Sequence, residues 1–308
     1  MTIPAQRMTY IDVIKGIAML LVVMHHCGGS LDKGMEVLTM VDVPLFFMCS
    51  GYLAYKEKIN YRKELRKKTL GILIPFILAV IIASLIRGVC IIEIFTDITK
   101  SGYWFLQVLY MMFLLWWGIS IFHNKFVVCN LLGGVELALL LAAKFMPETF
   151  DNIFCFSSLA RYFPCFIVGI FLRKYRLESL NNKIIGLILL ISSVIGFTGW
   201  PLYLNSNISF LLCTIAYSIS AVLIFLFIRK IEFQIPDQLR QSLMTIGRYS
   251  LNVYIIHFYF VPTAPAFLPH SFVFDLVYSI IMAFVVTGIS ILIGKFLTFS
   301  TPLNKVLQ

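Results

Sequence analysis

The sequence predicts an all-α, polytopic bundle of about ten membrane-spanning helices with both termini in the cytoplasm. Three observations predict it. Sixty per cent of the 308 residues are hydrophobic and only 13% are charged, at a mean hydropathy of +0.91, so polar residues are too few to cover a water-soluble surface. Apolar stretches of roughly 20 residues, the length that crosses a bilayer core, follow one another almost end to end. Lysine and arginine gather in alternate connections between those stretches. Strand alternation of the barrel type is absent, and unbroken apolar runs satisfy their backbone in lipid only as helices.

The expected spans run 11–29, 39–56, 69–92, 102–121, 126–146, 157–172, 183–200, 208–228, 247–263 and 272–298. The first is preceded by Arg7 and followed by no small-residue cleavage site, so it reads as a retained helix rather than a removable signal. The connections carry no linker rich in Pro, Gly or Ser, no low-complexity tract and no repeat, so residues 1–308 read as one membrane domain.

Orientation follows from the basic residues. With the N-terminus inside, one side receives nineteen of the 25 Lys and Arg, in Arg7, the run Lys56–Lys68, Lys125, the cluster 173–183, Arg229, Lys230, Arg240, Arg248, Lys295 and Lys305. The other side receives five, Lys33, Arg87, Lys100, Lys144 and Arg161, with Lys15 inside the first span. The net charge of +10 is therefore a topology signal, and no nucleic-acid partner is expected. Seven cysteines lie in apolar surroundings with no CxxC spacing; they read as small core residues, and no metal site is expected.

Ionisable groups inside spans cost a few kcal/mol each and mark wet or interior faces. Lys15, His25, His26, Asp42, Arg87, Arg161 and His257 are of this kind. Lys15 and His26 are eleven residues apart, about 16 Å of rise and about 20° of rotation, so they share a helix face; His25 points roughly 80° away. A charged binder and a proton-transfer group are thus stacked along one potential passage, although snorkelling of Lys15 and a hydrogen-bonded His26 explain the same spacing. Asp42, at the level of His26, could orient an imidazole as a general base, or could be a solvated residue ahead of the helix-starting Pro44.

The run Asp12-Val-Ile-Lys15-Gly16-Ile-Ala18 with His26, then Pro44-Leu-Phe-Phe-x-x-Ser50-Gly51-Tyr52-Leu53, resembles the acyltransferase 3 family of membrane acyltransferases. Tyr103-Trp104-Phe105-Leu106, Tyr162-Phe163-Pro164-x-Phe166-x-x-Gly169 and Ser250-Leu-x-x-Tyr254-x-x-His257 extend the resemblance over most of the chain. The family's arginine, ten residues, histidine signature falls on Lys15 and His26; lysine keeps the charge but loses the bidentate fork. Lysine here is similar to the fucose 4-O-acetylase branch, whereas Asp42 stands where that branch commonly has histidine. The family's Arg-x-x-Arg pair falls on Lys68 and Gly71, leaving one cation of the two.

The resemblance implies transfer of an acyl group, usually acetyl, from cytoplasmic acyl-CoA to a hydroxyl of a glycan, a lipid-linked sugar or another envelope molecule, in the inner membrane of a bacterium. Acetyl-CoA would be a co-substrate, with no permanently bound cofactor. His26 and Asp42 would be catalytic, and Lys15, Arg62, Arg66, Lys67 and Lys68 would bind the anionic donor. Ser50, Tyr52, Tyr103, Trp104, Arg161 and His257 would line the acceptor cavity. His26 would take the acceptor's proton for direct attack on the thioester or carry the acyl group itself. A transporter or flippase for a lipid-linked glycan or small solute is the alternative; such proteins commonly show paired repeats or broken helices, and no duplication is seen.

Overall fold

The computed structural model describes residues 8–27, 41–176, 206–262 and 272–299, and among them every regular element is helical. We number the helices α1 (Thr9–Cys27), α2 (Asp42–Ala54), α3 (Tyr61–Arg87), α4 (Ile91–Thr96), α5 (Trp104–Ser120) and α6 (Lys125–Phe145). They continue as α7 (Glu148–Phe154), α8 (Phe156–Tyr175), α9 (Ser206–Ile231), α10 (Asp237–Arg248), α11 (Ser250–Ile256) and α12 (Phe272–Phe299). Among the described residues five helices, α1, α3, α6, α8 and most of α12, are long and apolar enough to cross a membrane; α2 and α5 are apolar but shorter. The expected seventh span, 183–200, lies outside the described residues, as do both chain ends.

The third span differs from its expected start at 69. Asn60 caps the helix, its side chain accepting from the Lys63 backbone N–H at 3.1 Å, and Lys56 pairs with Glu64. The basic run Tyr61–Lys68 is therefore helical, and it continues through a π-turn at Thr69–Leu73 into the apolar stretch Ile74–Arg87. Gly88 closes the helix in the left-handed region, at φ 64°. The ninth span, expected as one helix over 247–263, is broken instead. The amphipathic α10 buries Leu243, Ile246 and Gly247, Tyr249 turns the chain at φ −93° and ψ 12°, and α11 tightens into a 3-10 turn at His257–Tyr259. The expected span thus holds a helix of seven residues and a 3-10 turn, set off from α10 by the turn at Tyr249.

Two backbone crossings set the core. A Cβ on Gly51 of α2 would collide with the Phe166 carbonyl of α8, and one on Gly169 of α8 with the Met48 carbonyl of α2. The same reciprocity joins α1 and α10, where Gly16 lies on Leu243 and Gly247 on Asp12. Without a hydrophobic drive between helices in lipid, such close approach is how packing and backbone contacts hold a bundle together. The motif glycines 16, 51 and 169 are thus packing positions, and the second crossing anchors α1, the helix that carries Lys15 and His26.

Two short helices occupy connections read as loops. Lys100, expected on an exposed loop, is fully buried. Its Nζ donates to the carbonyls of Phe95 (2.7 Å), Asp97 (2.9 Å) and Asn152, ending α4 and tying it to α7. Lys100 and Ser101 adopt left-handed backbone, and Gly102 follows at φ 98° with the Phe258 ring where a side chain would be. This turn delivers Tyr103 and α5 to the imidazoles described next.

Candidate active site

Lys15, Val22 and His26 fall at i, i+7 and i+11, one stripe of α1. Lys15 and Val22 line a cavity of about 410 Å³, the second wall of which is α3, α5 and α11. At one end it is cationic, bounded by Lys15, Lys67, Lys68 and Arg248 with Ser50, Ser250 and Gly71 between them. Lys68 Nζ lies 4.0 Å over the Phe113 ring, and Arg248 Nε is 3.5 Å from the Asp12 carboxylate. Beyond Phe46, Leu106 and Leu109 the lining turns apolar and reaches Val22, Phe105 and Tyr254. His26 is one turn past Val22, about 6 Å of rise.

Past that end lies a cluster of aromatic rings. His26 is exposed and meets Phe258 at 4.9 Å, His257 at 5.3 Å and His25 at 5.5 Å between ring centroids. His257, by contrast, is fully buried, 5.9 Å from the Tyr254 ring that borders the cavity. Tyr254 donates its hydroxyl proton to the Gly102 carbonyl at 2.5 Å, and Tyr103 to the Ile255 carbonyl at 3.1 Å, so α11 and the Lys100–Gly102 turn are cross-stitched beside the imidazoles.

The pairing expected of Asp42 comes out differently. Its Oδ2 lies 3.9 Å from Nδ1 of His25, the histidine that helix rotation sets off the Lys15 face, so the carboxylate reaches that ring while His26 turns to His257. Tyr52 also faces away from the cavity: its hydroxyl accepts from Tyr10 (2.7 Å) and from Arg173 (3.1 Å), whose guanidinium lies over the ring. Trp104 stacks on Tyr162, which stacks in turn on Phe47, and Arg161 adjoins that stack half-buried on α8; none of these lines the cavity. Arg62 and Arg66 are exposed on the first turns of α3, outside the lining, whereas Lys67 and Lys68 belong to it. Of the sequence-predicted donor set, Lys15, Lys67 and Lys68 are therefore brought together, and Ser50 joins them.

The family model of an acyltransferase domain matches residues 8–295. The chain belongs to the acyltransferase 3 family. Neither a curated protein nor a solved structure matches it. The protein is thus a membrane acyltransferase.

Sequence reasoning missed Arg248 and Tyr254 as lining residues of this acyltransferase. Arg248 was read only as a topology charge, although its place directly before the Ser250–His257 run was a usable signal. Glu136, in the middle of α6, was also overlooked; its Oε2 is buried without a hydrogen-bond partner among the described residues, on the far side of α8 from α2.

Proposed function

We propose that this acyltransferase moves an acyl group, acetyl in the simplest case, from a cytoplasmic acyl-CoA to a hydroxyl of a glycan or lipid-linked sugar, in a bacterial inner membrane that the chain crosses about ten times with both termini inside. The observation that carries the reading is a cavity that begins among Lys15, Lys67, Lys68 and Arg248 and reaches Val22, one helical turn from His26. CoA is a polyanion on a long apolar-tolerant arm. Four clustered cations suit its phosphates, and a lining that becomes apolar suits the arm that presents the thioester. The lysines act as point charges, and only Arg248 offers a planar fork, shared with Asp12.

At the far end His26 takes the proton of the acceptor hydroxyl as its oxygen attacks the thioester carbonyl; the C–S bond breaks, and the CoA thiolate leaves and takes up a proton. The alternative order, acyl transfer to the imidazole and then to the hydroxyl, uses the same geometry. His26 is open to an incoming acceptor, which a base sealed in the bundle would not be. The test is transfer of labelled acetyl from acetyl-CoA by the purified protein. His26→Ala is expected to lower the rate by about 10²–10⁴-fold while His25→Ala keeps most of it; equal losses, or retained activity in His26→Ala, would reject the assignment.

A further inference from the structure

The imidazole of His257 has no exposed surface, yet only one of its two nitrogens is satisfied. Nδ1 is 3.0 Å from the Val253 carbonyl, which can only accept, so Nδ1 carries the proton and Nε2 carries a lone pair. That lone pair has no hydrogen-bond partner among the described residues. A buried acceptor left bare costs free energy, and native folds seldom leave one without a use. The ring beside it is His26, at 5.3 Å between centroids and 39° between planes. The two rings are adjacent but share no hydrogen bond as they stand, and the exposed His26 ring is the one with room to turn.

We infer that His257 is a positioning residue for His26: when the exposed His26 ring turns toward it, the bare Nε2 accepts an N–H from that imidazole. This contact would fix which nitrogen of His26 carries the proton, leave the other as the base, and support the imidazolium that forms when the acceptor hydroxyl is deprotonated. It is a histidine in the place that a carboxylate more often fills, and it follows from the fold: Asp42 is engaged toward His25, so the orienting group must come from another element. The 3-10 turn at His257–Tyr259 and the Tyr254–Gly102 and Tyr103–Ile255 hydrogen bonds hold His257 in register against the last turn of α1. The titratable groups around the pair are His25 with Asp42 behind it, and the phenols of Tyr103 and Tyr254.

The inference rests on His26 being the reactive imidazole, but its test does not need turnover. Full-length protein is treated with diethylpyrocarbonate over a range of pH, and carbethoxylation of the His26 peptide is followed by mass spectrometry in wild type, His257→Leu and His257→Gln. A neutral acceptor stabilises the imidazolium, so its loss in His257→Leu is expected to lower the midpoint of His26 titration by about one pH unit, and the amide oxygen of His257→Gln to restore part of it. In acetyl transfer the same Leu variant should lose kcat with KM for acetyl-CoA unchanged. An unmoved or raised midpoint in both variants overturns the inference, whatever the activity shows. Should His257→Leu fail to fold, His257→Phe decides alone: a midpoint lower than that of wild type supports the contact, and an unmoved or raised one refutes it. Wild type that titrates normally but transfers nothing would sink the functional reading and leave this contact standing.

Discussion

The Lys15 end and the His26 end of the cavity are made of different materials. The first is four cations around a cavity, with two serines and a glycine between them. The second is a close-packed group of rings in which His26, His257, Phe258, Tyr103 and Tyr254 touch one another and the backbone is stitched by two tyrosine hydroxyls. Charge recognition tolerates loose geometry because Coulomb forces fall off slowly, whereas proton transfer needs a nitrogen fixed to a fraction of an ångström. The difference teaches that affinity and chemistry are separated along α1, so mutations at the two ends should alter different kinetic constants.

The largest effect is expected from His26→Gln, which should lower kcat by about 10²–10⁴-fold and leave KM for acetyl-CoA near wild type. Lys15→Met should do the reverse, raising that KM by about 10–100-fold, the worth of a hydrogen bond to a charged group, with kcat little changed. Raised salt should mimic the lysine variant and not the histidine one, which a titration of both constants against ionic strength would show. If both variants lost kcat alone, the separation of roles along α1 would be wrong. Lys100→Met probes the scaffold behind the rings: it strips three carbonyls of their donor and should cost about 1–3 kcal/mol in thermal or denaturant unfolding. The smallest effect belongs to Tyr52→Phe. Because that hydroxyl bonds Tyr10 and Arg173 away from the cavity, the change should cost about 1 kcal/mol of stability and nothing in kcat.

Much of this was legible in the residues. Hydropathy located the apolar helices, because lipid leaves the backbone no alternative, and helix rotation set Lys15 and His26 on one stripe while turning His25 elsewhere. Where sequence reading failed, capping or tertiary contacts decided. A capping asparagine at position 60 made a helix of a basic run that hydropathy treats as a loop. The reversal of α10 against Gly16 cannot be seen in a hydropathy profile, since it depends on glycine contacts between segments more than two hundred residues apart. The inward turn of Lys100 and the partner of Asp42 are likewise long-range facts. His257 was visible as an intramembrane histidine that ends the Ser250–His257 run; its bare Nε2 is a property of the folded backbone around Val253.

The central claim is that a thioester entering among the cations reaches the His26 imidazole. Bromoacetyl-CoA places an alkylating carbon where the acetyl group would sit, and peptide mass spectrometry of the treated protein reports which side chain it meets. The account predicts alkylation of His26, suppressed by excess acetyl-CoA and slowed in Lys15→Met. Labelling confined to lysines at the cationic end or to Cys49 beside it, with His26 unmodified, would contradict it.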